Sequence, residues 1–398
     1  MRAALVVCLL LSIGGRAAFA DPPKPEDVAP LLDRVAKGDQ AAVAELDKLA
    51  TSGGPEIVDA LATFLARKHA VELADRRKVL EAIHAQVPDK NGRFATPERK
   101  TPKEEKADDD LDWRASLGGL PAETVGLGEV IADDAAIRAL AKTEDLHAAA
   151  VLFTTAFGDD TIIYRDEIGR YLRKMEPFSI PALIIESENK KNYDKKRYAN
   201  YQLERLDRQE PQKALGAANG DEALTIAILD AFGATHFREA VHAVWTKVDA
   251  DSARTRAAAR KAWMAYITGP APPPAPKKKL SMPGGKLTKK EKPLWLTYRE
   301  LADNEIRKAL NELLHEDLPL ADPTLDDRDD DRRKSKTVKI DLVEKTNELF
   351  KYYDDARAKR EGEAWTAAKG LADKGDIAGA TTALDRMLAM NPEGGDQA

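Results

Sequence analysis

Between residues 145 and 268 one signal returns about every thirty residues: an apolar stripe at helical spacing, a breaker, then a second stripe. Ile168, Tyr171, Leu172 and Met175 follow Arg165 at spacings of three and four, which puts them on one helix face. Pro177 stops that helix, and Ile180-Pro181-Ala182-Leu183-Ile184 opens the next, with Pro181 in a first-turn position that needs no N–H. The pattern returns with Leu224, Ile228, Leu229 and Phe232, where Gly233 offers a stop, and then with Ala240, Val241, Val244, Trp245 and Val248. Asp249 and Asp251 flank a turn, and Ser252 is placed to cap a helix carrying Ala258, Ala262, Trp263 and Tyr266. A weaker copy runs from Arg197 through Ala199, Leu203 and Leu206, breaks at Pro211 and resumes at Ala214-Leu215.

Comparable helix centres fall at Leu172, Leu203, Leu229 and Trp263, spaced 31, 26 and 34 residues apart. Unequal spacing marks a degenerate repeat. A single helix pair this short cannot bury its apolar face alone, whereas stacked pairs share a continuous core. The stretch resembles the HEAT-repeat family through Arg165, Leu172 and Ile180-Pro181-Ala182-Leu183. Ala231-Phe232-Gly233, Ala240-Val241, Asp249 and Arg256 with Ala257-Ala258-Ala259 add to the resemblance. It covers about a third of the chain well, and the N-terminal part more loosely. The resemblance implies an all-α, α-solenoid scaffold that binds other macromolecules, with Glu186, Glu188, Arg238 and His242 on a concave side facing a partner; it implies no catalysis.

The remaining chain divides by composition. Residues 1–20 read as a signal peptide: Arg2, an apolar run from Ala3 to Ile13, and Ala18-Phe19-Ala20 before a cleavage point ahead of Asp21. The run is short for a span, so a retained anchor is the lesser expectation, and the mature chain has no transmembrane segment. The chain is expected in the periplasm or secreted. Cys8 is the only cysteine and lies within that leader, so the mature chain has no thiol for nucleophilic catalysis, cysteine zinc sites or iron–sulfur clusters. Residues 21–87 read as helical repeats, either two solenoid-type pairs or a small bundle, with Asp39 a candidate cap. Residues 88–112 form a charged linker. Residues 113–268 are the solenoid and 269–293 a Pro/Lys-rich linker, in which seven lysines stand against Glu291. Residues 294–316 make a helix, and 317–336 a charged disordered loop with seven aspartates and five basic residues. Residues 337–398 supply a long helix and a helix–turn–helix from Trp365 to Pro392, which resembles one tetratricopeptide repeat but has Met387 where that family usually has a small residue.

No chemistry is announced. The six histidines, His69, His84, His147, His236, His242 and His315, include no pair four apart, and HExxH, Gly-x-Ser-x-Gly, P-loop and GxGxxG motifs are all missing. The aspartates of 322–331 invite a cation, but they lack the glycine and terminal glutamate of an EF-hand loop. Asp133-Asp134 and Asp159-Asp160 read as helix caps, and Trp245, Trp263 and Trp295 as core. No catalytic, cofactor-binding or metal residue is assigned and no cofactor is expected. Charged residues make up 33% of the chain at a net charge of −6, so a nucleic-acid partner is not expected either. The expectation is an exported, non-catalytic scaffold for a protein partner. One alternative is an exported hydrolase of cell-envelope polymer with an acidic site. Another is a structural tether whose lysines in 277–292 make weak contact with an anionic envelope polymer.

Overall fold

The computed structural model describes residues 24–85, 120–121, 123–270, 296–320 and 339–390. The leader, the charged stretch 88–112, the lysines of 277–292, Trp295, the aspartates of 322–331 and Asn391-Pro392 lie outside them. The described residues form sixteen α-helices and three short 3-10 turns, with no strand among them. None of these helices is long and apolar enough to cross a membrane. The chain divides into two compact units, Met1–Met175 and Glu176–Ala398.

The first unit holds α1 (Val28–Ala36), α2 (Gln40–Ser52), α3 (Pro55–Leu65), α4 (Leu73–Ala85), α5 (Leu127–Lys142), α6 (Leu146–Thr155) and α7 (Arg165–Lys174). Its centre is α5, against which the other six helices all pack. Ten of its sixteen residues are buried, on every side of the helix, which is what a helix surrounded by others requires. Ala132, Ala135, Ala136 and Ala139 keep its surface low enough for neighbours to approach closely. Within this unit the packing is that of a bundle about a buried helix. Asp39 caps α2, as its position foretold, by accepting from the N–H groups of Ala41 and Ala42.

The second unit holds α8 (Ile180–Ser187), α9 (Tyr193–Leu206), α10 (Pro211–Ala217), α11 (Glu222–Thr235), α12 (Val241–Trp245), α13 (Ala253–Thr268), α14 (Tyr298–Leu313), α15 (Leu342–Asp373) and α16 (Ile377–Met390). Each rests on near neighbours in the chain: α8 on α9 and α11, α11 on α13, α12 on α13 and α14, α14 on α15, and α15 on α16. Side-chain caps from Asn192, Asp221, Ser252, Thr297 and Asp341 start five of these helices. The core gathers on Phe232, Trp263 and Tyr266, all fully buried. The Trp263 ring lies 4.5 Å from that of Trp245, and the Tyr266 hydroxyl donates to the Phe237 carbonyl at 2.7 Å.

Two readings of local sequence are corrected. Gly233 does not stop its helix: α11 runs on to Thr235 and ends at His236, which takes the left-handed conformation at φ +53°. A Cβ at Gly233 would stand 2.8 Å from the Ala262 Cα, so the glycine serves the close approach of α11 to α13. In the C-terminal part, the first helix of the expected hairpin is not separate. It is the second half of the 32-residue α15, which continues through Gly362 and Gly370 up to the turn at Gly375, φ +80°.

Candidate functional site

The densest polar chemistry lies in the first unit, on α5. Asp133 and Asp134 were expected ahead of a helix; they stand in its middle, both buried. Asp133 is completely buried and its carboxylate is ringed by donors. Oδ1 accepts from Arg67 Nη1 at 2.8 Å. Oδ2 accepts from His69 Nε2 at 2.9 Å, the Tyr164 hydroxyl at 3.0 Å and Arg76 Nη1 at 3.3 Å. Burial, and next the Asp133 charge, push the Tyr164 phenol well above its usual range, keeping it a donor. Beside this group, Glu129 accepts from the backbone N–H groups of Ala70 and Val71 at 2.8 and 3.3 Å. Asp160 lies in the turn before the 3-10 element at Ile162–Tyr164 and meets Arg76 at 3.6 Å, so it serves this cluster and not a cap. These contacts fasten the segment 67–71 and Tyr164 onto α5. Asp133 and Arg76 are both closed to water, so the cluster pairs charges in the interior of the unit.

An open feature lies in the second unit. A hollow of about 270 Å³ sits against α8, α9, α11 and the segment after α11. The buried Ile184, Leu203 and Phe232, with the partly exposed Phe237, form an apolar floor, while Glu188, Asn200, Arg208, Gln209 and Glu239 supply polar groups around it. The Phe232 and Phe237 rings stack at 5.7 Å, which fixes the floor. The polar groups are held in place. Glu188 pairs with Lys196 at 3.3 Å, Arg208 with Glu176 and Glu239 with Arg238 at 3.0 Å. Asn200 Nδ2 donates to the Ser187 and Lys196 carbonyls at 3.1 and 2.9 Å. Gln209 is exposed.

Of the four residues expected to face a partner, only Glu188 lines the hollow. Glu186 accepts from Asn189 at 2.7 Å, Arg238 donates to the Leu296 carbonyl at 2.6 Å, and His242 meets Glu305 at 3.1 Å. Asn200, Arg208, Gln209, Phe237 and Glu239 were not expected at a site; the one available signal in the sequence is that Arg208-Gln209 falls in the break between Leu206 and Pro211. Among the described residues no group of three or more acidic, histidine or cysteine side chains is arranged to hold a metal. No family model matches this chain, and no curated protein or solved structure matches it either.

Proposed function

We propose that this protein is an exported, non-catalytic scaffold of HEAT-like helix pairs that holds an extended segment of a partner protein in the hollow beside α8, α9 and α11. The observation that carries this reading is the hollow itself: a stacked aromatic floor with pre-positioned polar groups around it, the composition of a site that takes an apolar side chain and the backbone on either side of it. The neighbour-to-neighbour packing of α8, α11 and α13 supports the repeat reading, and the leader of residues 1–20 supports export.

The test is site-specific photocrosslinking in the native organism. A photoreactive phenylalanine at Gln209 captures one discrete envelope protein, and the same group at Lys261 on α13 does not. Phe237→Ser lowers the yield at Gln209. Equal capture at both positions, or none at either, refutes the reading. The exported-hydrolase alternative draws on one observation, that Glu188 and Glu239 both line the hollow. Each has a cation beside it and neither is closed to water, whereas a general acid working near neutral pH needs a desolvated carboxyl. Turnover of envelope polymer that disappears in a Glu188→Gln, Glu239→Gln double variant would favour that alternative.

A further inference from the structure

The turn joining α8 to α9 presents a basic surface on a chain that is acidic as a whole. Between residues 190 and 197 stand Lys190, Lys191, Lys195, Lys196 and Arg197 against Asp194 alone, in a protein whose net charge is −6. Lys190, Lys191 and Arg197 are exposed and pair with no carboxylate among the described residues. Apolar side chains flank the same turn. Tyr193, the first residue of α9, is 75% exposed, and Ile185, near the end of α8, is 47% exposed. Tyr193 and Arg197 are four apart and share one face of α9.

Lys196 pairs with Glu188 at 3.3 Å, whereas Lys190, Lys191, Arg197 and Tyr193 are left exposed. Lys195, Lys196 and Arg197 stand at the beginning of α9, where the helix dipole favours acidic side chains. A tyrosine three-quarters open to water adds little to a core. Cations around an aromatic and an aliphatic side chain match the boundary of an anionic bilayer, where lysines and arginines meet phosphates and the apolar groups enter below them. A soluble anionic polymer would use the cations and leave Ile185 and Tyr193 in water. We infer that the α8–α9 turn, through Ile185, Lys190, Lys191, Tyr193 and Arg197, docks this protein on a membrane surface rich in anionic phospholipid. The contact is peripheral and salt-sensitive, and it does not depend on what occupies the hollow. Glu188 connects the two places, since it lines the hollow and pairs with Lys196 of the patch.

The experiment is flotation of the full chain with vesicles of phosphatidylcholine alone and with vesicles containing about a third phosphatidylglycerol. Binding to the neutral vesicles measures what the apolar leader contributes. The expected result is added binding to the anionic vesicles that fades as salt is raised. A Lys190→Gln, Lys191→Gln, Arg197→Gln variant loses roughly a hundredfold of that added affinity, the product of about a fivefold loss per cation. Tyr193→Ser loses roughly fivefold by a different route, through apolar contact. All four residues are exposed, and an unchanged helical circular dichroism signal verifies the variants. Three outcomes overturn the inference. One is equal binding to both vesicle types. Another is full binding by Tyr193→Ser together with displacement by polyphosphate, which marks a soluble polymer as the ligand. The third is loss of binding on deleting 277–292 with none in the triple variant, which moves the contact to the Lys-rich segment.

Discussion

Asp133 shows how much one side chain can carry. Its carboxylate is closed to water and takes hydrogen bonds from two arginines, a histidine and a tyrosine. Removing it leaves the buried Arg76 guanidinium with only its longer contacts to Asp160 at 3.6 Å and Glu129 at 3.9 Å, and breaking a buried pair costs up to about 3–5 kcal/mol. Asp133→Ala is therefore expected to lower the urea midpoint of the first unit sharply, whereas Tyr164→Phe, which removes one donor of four, costs about 1–2 kcal/mol. A loss from Asp133→Ala no larger than that from Tyr164→Phe would mean that the carboxylate does not anchor this unit. Gly233 is a second such residue. Its missing side chain lets the Ala262 backbone approach, so Gly233→Ala overpacks the contact and is expected to cost about 1–3 kcal/mol by thermal or urea unfolding. Neither role was open to a reading of local pattern. An acidic pair beside small apolar residues looks the same whether it caps a helix or lies buried within one, and a glycine near a helix end fits a stop and a close approach equally well.

Among the elements, those with a stripe on one face were legible from spacing alone, as with α7, α11 and α13. The central helix shows helical patterning through Val130-Ile131, Ile137 and Leu140, but its central place does not follow from that. α5 has no polar face to contrast with an apolar one, because it is covered on all sides, and only the helices packed around it reveal its position. Between α13 and α15 the contact is partly electrostatic and has a definite pH signature. Arg260 donates to both Asp354 oxygens at 2.9 and 2.7 Å, and this hydrogen bonding holds the Asp354 carboxyl below its usual range. The folded chain thus gives up that proton more readily than the unfolded chain does. The resulting stability is present above about pH 4, near the ordinary aspartate value, and is lost as pH falls through the lower folded-state value. The pair is half open to water, so Asp354→Asn is expected to cost about 0.5–1 kcal/mol at neutral pH, the difference vanishing in acid. Asp303 on α14 has the opposite sign: burial raises its carboxyl in spite of Arg307, so its contribution declines as pH rises above about 4. Urea titrations of the parent, Asp354→Asn and Asp303→Asn at several pH values separate the two trends, and parallel curves would contradict both assignments.

At the scale of the whole chain, helix content followed from periodicity, but the hollow did not. Its floor draws on Ile184, Leu203 and Phe232, each of which reads locally as part of an ordinary apolar stripe, and on Phe237, which lies between two stripes. They meet only because α8, α9 and α11 pack together, and packing partners are not written in the spacing of any single helix. The division into two units has a direct consequence for stability. The first unit has its own interior, from Leu32, Leu46 and Leu61 through Ile137 and Leu140 to Phe153, all buried and all contributed by residues before Met175. A stretch of roughly 150 residues with such an interior buries enough surface to fold alone. Residues 24–175 produced as a separate chain are therefore expected to be helical by circular dichroism and to unfold in one cooperative urea transition, with Asp133→Ala moving its midpoint by as much as it does in the full chain. A separate chain that is helical but melts without a cooperative transition would show that its interior is completed by residues beyond Met175.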